Sequence, residues 1–525
     1  MGWLDWIIIL FYLSGMIGLS VYLGRNQTSQ EDYFVGGRKL PWWAIGISTM
    51  ATQTSAISFI SLPAFVALKS GGGLTWLQME LALPLAIIIV MVFLLPFFRR
   101  LELVSVYEYL EHRFSPTVRY LVSFIFLLSR GLAAGVAVYA SGIVLSVCLD
   151  IPLWVTILTV GIVTIIYDTI GGITAVVYSD VIQMVILLGG IFLCIVYAAD
   201  IVGGLGAMWS SFPEARRVAL DPSSGFNNES AAPFWPFLIG GFFLYISYYG
   251  TDQSQVQREL SATSTADTKK SLLLNGLARF PLTLLYVVLG IAMLAVYRVS
   301  PDLAAQVPAD RPDYLVPQFV LLYIPAGVRA LIFASLLAAA MSSLDSALNS
   351  LSASTMRDFI GRKWSDPSRL LLASKLTTVA WGILITAFAF LAGRISDTVI
   401  EAVNKVGSAF YGPILATFLV GILSRRVTAF GILAGLPLGV ALNLYLWLAF
   451  PAIHWMWWNC FGFLTTAVVA LACSRWIPSR SPDGFESYVL EREEIREDNR
   501  GWGWAYLLLA VYFVLMLLLL YAVSE

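Results

Sequence analysis

Of the 525 residues, 58% are hydrophobic and only 12% are charged, about half the charged share of an average soluble domain; so much apolar surface excludes a soluble globular protein. The net charge of −1 offers no basic patch for nucleic acid. Two histidines far apart in sequence, His112 and His454, argue against a zinc site or histidine-based catalysis, and the four cysteines (Cys148, Cys194, Cys460, Cys473) lack paired or metal-ligand spacing and read as small hydrophobes in helices.

Apolar stretches of about 20 residues are long enough to cross a membrane as helices. In chain order they cover 3–23, 42–68, 76–98, 118–147, 152–170, 174–199, 233–255, 270–297, 327–356, 370–392, 396–423, 427–449, 453–474 and 502–523, about fourteen spans. The first lacks a basic leading segment and a small-residue cleavage site, so it is expected to be a retained helix. Arg25, Arg38 and Lys39, then Arg99, Arg100, Arg113 and Arg119, then Arg258, Lys269 and Lys270, and later Arg357, Arg425 and Arg475 fall on one side. The positive-inside rule makes that side cytoplasmic. Both termini are then expected outside, and the bilayer is the only obligatory surrounding; no protein partner is implied.

The second span is unusual. From Ser48 to Ser61 it carries seven hydroxyls and the amide of Gln53, followed by Pro63. Polar groups in hydrocarbon are costly unless they face a cavity or a partner. The alternative, hydroxyls bonding back to their own helix or serving as small packing residues, suits two or three such residues better than this many. The seventh span has the same character, with Tyr245, Tyr248, Tyr249 and Gly250 ahead of Asp252. Two interrupted spans opening successive groups of five helices point to an inverted-repeat transporter whose broken helices meet at the midplane. The layout is a leading helix and loop (1–41), a first repeat (42–199), an extracellular loop (200–232), a second repeat (233–423) and three trailing helices with a charged cytoplasmic connector (424–525).

On the helix around 338–350, Ser342, Asp345, Ser346 and Asn349 share one face at spacings of three and four. Such a face offers hydroxyl, carboxylate and amide oxygens to a hard cation, with unwound backbone of a broken helix supplying the rest. The plainer alternative is a small-residue helix contact with a protonated aspartate. Asp180, after Gly171-Gly172, is a second acidic candidate near the cytoplasmic end of its span, where it could equally be a helix-end aspartate in water.

Together these segments resemble the solute:sodium symporter family, which includes sodium/glucose, sodium/proline, sodium/iodide, sodium/sialic acid and sodium/vitamin carriers. The resemblance rests on Ala51–Pro63, Gly171-Gly172…Asp180, the run Thr251 to Arg258, Ser342-Ser343 and Tyr411-Gly412-Pro413. It implies an all-α, LeuT-like five-plus-five inverted repeat with discontinuous first and sixth core helices, in a bacterial-type member of the inner membrane. The main sodium site would be Ala51 and Thr54 with Ala339, Ser342 and Ser343. A second sodium, as in sialic acid carriers, would use Asp180, Ser342, Asp345 and Ser346, with Asp345 standing where those carriers have serine. The solute would meet Gln53, Ser55 and Ser58 on the first core helix, Leu74 and Gln78 on the next, and Tyr248 and Asn404. Arg130 matches the arginine that holds a carboxylate in sialic acid carriers, and its planar fork suits that group; the alternatives are pairing with a carboxylate such as Asp180 or Glu80, or snorkelling to an interface, which its mid-span place disfavours. Arg279 replaces the sugar carriers' lysine and Ile57 their acidic residue, which weakens a hexose reading.

The resemblance thus implies sodium-driven import of a small organic solute carrying a carboxylate, such as a sialic acid, sugar acid or monocarboxylate. A sodium/sugar or inositol symporter is the alternative, with a proton-coupled transporter or a membrane sensor module as readings of another class. No catalytic constellation suggests an enzyme. Each sodium entering down 100 mV gains about 2.3 kcal/mol and a tenfold gradient about 1.4 kcal/mol. One sodium would accumulate a neutral solute roughly 500-fold, but a monoanion only about tenfold, because its transport is electroneutral. A second sodium restores the electrical drive, so an anionic solute and a second ion site support each other.

Overall fold

The computed structural model describes the chain apart from residues 1, 224, 228–230, 362–363, 365, 393–398 and 478–481 and the side chains of 399–404. Eleven described helices are long and apolar enough to span a membrane, twelve if one bent pair is counted as a span. They are α1 (Trp3–Gly24), the bent pair α2 (Trp42–Thr52) and α3 (Ala56–Ala67), α4 (Leu74–Arg100), α6 (Pro116–Leu149), α7 (Leu153–Val202), α10 (Thr265–Val299), α11 (Val328–Ser354), α12 (Pro367–Ala392), α13 (Val399–Leu423), α14 (Ala429–Ala449), α15 (Trp457–Trp476) and α16 (Gly503–Ser524). Between them lie the short α5 (Glu108–Arg113) and the pair α8 (Gly241–Thr251) and α9 (Gln253–Leu260).

Helix length does not give the expected fourteen spans; the shortfall of two lies in two places. The stretches 152–170 and 174–199 form the single 50-residue α7, about 75 Å at 1.5 Å per residue against a hydrocarbon core of about 30 Å. It is interrupted at Gly172 (φ 55°, ψ −159°), a backbone state that glycine reaches without penalty. Tyr167 before the break and Asp180 after it both reach α11 near Asp345–Ser346, the latter through Arg258. The seventh stretch is divided among Pro236–Gly240, α8 and α9, each too short to count, with the chain extended at Asp252 (φ −78°, ψ 119°).

The first discontinuity sits where hydroxyls are densest. α2 and α3 meet at 59°. Ser55 caps α3, its Oγ accepting from Ser58 N at 3.4 Å, while Thr54 Oγ1 donates back to the Met50 carbonyl at 3.0 Å. Short hydroxyl side chains that bond local backbone compete with the helical ladder. Pro63 stands inside α3, past the break.

α11 is the axis of the bundle, the most buried of the spans, packed along α7 and α6. α16, α1 and α14 are peripheral and mostly uncovered, and their outward side chains are apolar, among them Phe11, Leu448 and Leu507. An apolar exterior over polar breaks inside is the arrangement lipid requires. On α14, Gly431, Gly435 and Gly439 lie where an added Cβ would strike Ser474, Thr466 and the α15 backbone, a small-residue face that lets two helices approach closely. Arg119 bonds Asp358 at 2.7 Å and Arg357 bonds Glu108 at 2.9 Å, tying α6 and α5 to the turn Thr355–Ile360 that follows α11.

Candidate ion and solute sites

The break between α2 and α3 opens a small cavity against α7 and α11, lined by Ala51, Thr54, Gln183, Met184, Leu187, Ala339 and Ser342. Four of the five residues expected at the first sodium site therefore meet there. The fifth, Ser343, is half-buried and donates to the Ala339 carbonyl at 3.3 Å. Ser342 Oγ is buried beside Asp180 without a partner of hydrogen-bond geometry. The Ala51 carbonyl accepts from Thr54 N at 2.8 Å, leaving a second lone pair. Gln183 escaped the sequence reading. Its side chain is buried and approaches the Tyr12 hydroxyl, yet neither Gln183 Oε1 nor Nε2 has a bonded partner. The available signal was its place three residues after Asp180, on the same face of α7. Leaving buried polar atoms unbonded costs about 1–3 kcal/mol each, and an oxygen-seeking cation in this cavity would remove that cost for Ser342 and for the Gln183 carbonyl oxygen.

Asp180, Asp345 and Ser346 also come together, and the structure adds a cation of its own. Arg258, assigned from sequence to a cytoplasmic loop, is instead 1% exposed within α9. Its Nη2 lies 3.3 Å from Asp180 Oδ2 and donates to Ser346 Oγ, and its Nε donates to Ser48 Oγ at 2.7 Å. Ser48 also donates to Asp180 Oδ2 at 2.6 Å. Asp345 accepts from the Tyr167 hydroxyl. The alternative of a water-exposed, helix-end Asp180 does not hold, since its side chain is fully buried. Asp168, also missed from sequence, is buried with one oxygen on Asn349 at 3.2 Å and the other without a partner. These acids form a network rather than a cage. Among the described residues no three acidic, histidine or cysteine side chains converge to hold a metal.

Arg130 lines a second, small cavity with Tyr107, Phe126, Asp252 and Tyr411. Its expected alternative partners are engaged elsewhere: Asp180 with Arg258, and Glu80 with Arg279 at 3.5 Å and Thr283 at 2.9 Å. The nearest acid to Arg130 is Asp252, at 3.9 Å, beyond the 2.7–2.9 Å of a hydrogen-bonded charge pair. Tyr248 and Tyr411 stand beside the guanidinium, and Arg130 Nε is buried without a partner. Tyr248 takes a hydrogen bond from Gln255 at 2.7 Å and meets Tyr411 edge-on at 6.1 Å.

The other expected solute residues divide. Gln53 ends α2 with its amide nitrogen buried and unbonded, close to Tyr249. Ser55 and Ser58 are half-buried at the start of α3. Gln78 is buried, and its amide donates to the Ala232 carbonyl at 3.0 Å and accepts from Asp221 N at 2.9 Å. Leu74 is buried at the start of α4. The Asn404 side chain lies outside the described residues. Neither histidine lines these cavities: burial, and Lys405 after it, hold the His454 imidazole down at about 3, and His112 stacks on Tyr488.

Two broken helices among long apolar spans, beside a pocket offering Thr54, Gln183 and Ser342 and a separate one lined by Arg130, have the arrangement of an ion-coupled membrane transporter. Residues 33–439 match the Sodium:solute symporter family, and the chain belongs to that family. It is 30% identical to the sodium/sialic acid symporter NanT of Aliivibrio fischeri, over 89% of this chain and 92% of that protein. It is also 30% identical to the human sodium/iodide cotransporter, over 85% of this chain and 69% of that one. A solved Na+-coupled sialic acid symporter, substrate-bound and outward-open, superposes with a TM-score of 0.81 at 26% identity, covering 92% of this chain and 99% of that one. The chain is thus a multi-pass, sodium-coupled symporter with a LeuT-like fold, a transporter and not an enzyme.

Proposed function

We propose that this symporter imports a small organic anion through its carboxylate, with Arg130 as the anchoring cation. The observation that carries this reading is a buried guanidinium lining a cavity beside Asp252 and Tyr411, with Nε unbonded and its nearest acid at 3.9 Å. A buried charge compensated but not hydrogen-bonded gains most from a ligand that supplies the missing acceptors. The sialic acid symporters among its relatives agree with a carboxylate, and the iodide cotransporter with an anion. Sodium binds at Ala51, Thr54, Ala339, Ser342 and Ser343, with the Gln183 carbonyl oxygen added. A second sodium uses Asp180, Asp345 and Ser346 once Arg258 has withdrawn, which gives an anionic solute its electrical drive. The two five-helix repeats are 42–199 and 233–423, both termini lie outside, and a bacterial inner membrane is the setting.

A sugar or inositol cargo is the second reading, favoured by unfilled hydrogen-bonding atoms on Gln53, Glu80 and Arg279. Thermal unfolding of the purified protein separates the two. N-acetylneuraminate or lactate is expected to raise the melting temperature in sodium but not in choline, and Arg130→Ala to remove the effect. A sodium-dependent shift from glucose or myo-inositol that survives Arg130→Ala, with none from the acids, decides for the second reading.

A further inference from the structure

We propose that Asp252 is a built-in competitor for the transported anion: it neutralises Arg130 while the site is empty, gives way to the solute's carboxylate, and returns to Arg130 as the solute leaves. This rests on the carboxylate reading of Arg130.

Asp252 occupies the one extended position between α8 and α9 and is 4% exposed. Its two oxygens have different tasks. Oδ1 caps α9, accepting from Ser254 N at 2.8 Å and Ser254 Oγ at 2.6 Å. Oδ2 faces the cavity, 3.9 Å from Arg130 Nη1 and 3.5 Å from the Tyr411 hydroxyl. One carboxylate oxygen thus anchors the break while the other offsets the charge of Arg130 without saturating its donors. A permanent structural pair would close to hydrogen-bonding distance and use both faces of the fork. The loose pair instead keeps an unpaired cation from being stranded in the membrane interior, at low cost to an incoming acid.

The exchange has a mechanical consequence. All eight residues of α9 are buried, Gln253 is bonded to Val104 and Val106, and Arg258 fills the gap between Asp180 and Ser346. Freeing Asp252 from Arg130 loosens the N-terminal end of the helix whose other end carries the resident cation of the second ion site. Solute arrival at Arg130 and Arg258 withdrawal are therefore joined through one short rigid element.

Asp252→Asn tests this with little risk to the fold, because asparagine caps a helix as well as aspartate does. In the full-length protein in sodium, with N-acetylneuraminate and lactate as probes, the variant is expected to bind about tenfold more tightly, about 1.4 kcal/mol. Uptake should show KM falling while kcat also falls, since release has lost its competitor; a purely structural role would raise KM instead. Asp252→Glu keeps the charge and should stay closer to wild type on both. Unchanged or weaker binding by Asp252→Asn, with binding abolished by Arg130→Ala, overturns the proposal and leaves the carboxylate reading intact. Wild-type binding by Arg130→Ala removes that reading, and the proposal with it. The wild-type protein supplies a second measurement: amide hydrogen exchange across 251–256 should rise when the acid is added, and a fall or no change contradicts the exchange of partners.

Discussion

Arg258→Ala is expected to abolish sodium-driven uptake and to cost about 3–5 kcal/mol of stability, the penalty for stranding one member of a buried ion pair. Arg258 is 1% exposed and Asp180 fully buried. Removing the guanidinium leaves Asp180 with Ser48 as its remaining side-chain hydroxyl partner of good geometry and leaves Ser346 and Ser48 short of a donor. The stability loss should be largely recovered in the double variant Arg258→Ala with Asp180→Asn, because the uncompensated charge is gone; uptake should not recover, because the proposed second ion site has lost one of its two acids. Unfolding of the four proteins followed by tryptophan fluorescence forms a double-mutant cycle. Additive losses in that cycle would mean that the two side chains act independently, against the geometry at 3.3 Å.

The second large effect is on sodium itself. Ser342→Ala is expected to raise the sodium concentration needed for half-maximal uptake by roughly ten- to a hundredfold, the worth of about 1.5–3 kcal/mol for a bond to a charged group. Ser342 lines the cavity with Ala51 and Thr54, and its buried hydroxyl has no bonded partner to lose. Alanine is the best helix former, so α11 should persist and the variant should melt near the wild type without sodium. Titrating sodium at fixed solute separates the outcomes: a fall in maximal rate with unchanged sodium dependence would place the ion elsewhere.

Both breaks at membrane depth were legible because the polar residues that make them are contiguous in sequence: Ser48 to Ser61, and Tyr245 to Asp252. The division of α7 was legible at Gly171-Gly172 for the same local reason. What stayed hidden depends on partners brought from afar. Nothing local separates α9, with its Gln, Ser, Glu and Arg, from a cytoplasmic loop. It is buried because Ser48, Asp180, Ser346 and Asn349, between 78 and 210 positions away, supply its hydrogen bonds. Gln78 shows the converse. An amide at the start of a span suggests a solute contact, and nothing local announces that its two ends bond Asp221 and Ala232 of a distant loop. Gln183 carried only the weak signal of its spacing from Asp180, and Asp168 is set apart by the partner packed against it, Asn349.

Uptake into proteoliposomes with independently imposed gradients tests the central claim most directly. With an inward sodium gradient, a negative interior and no pH difference, labelled N-acetylneuraminate or lactate should accumulate above its external concentration. Accumulation should cease when choline replaces sodium. Accumulation driven in choline by an inward proton gradient alone, or equal uptake with and without sodium, would contradict the account.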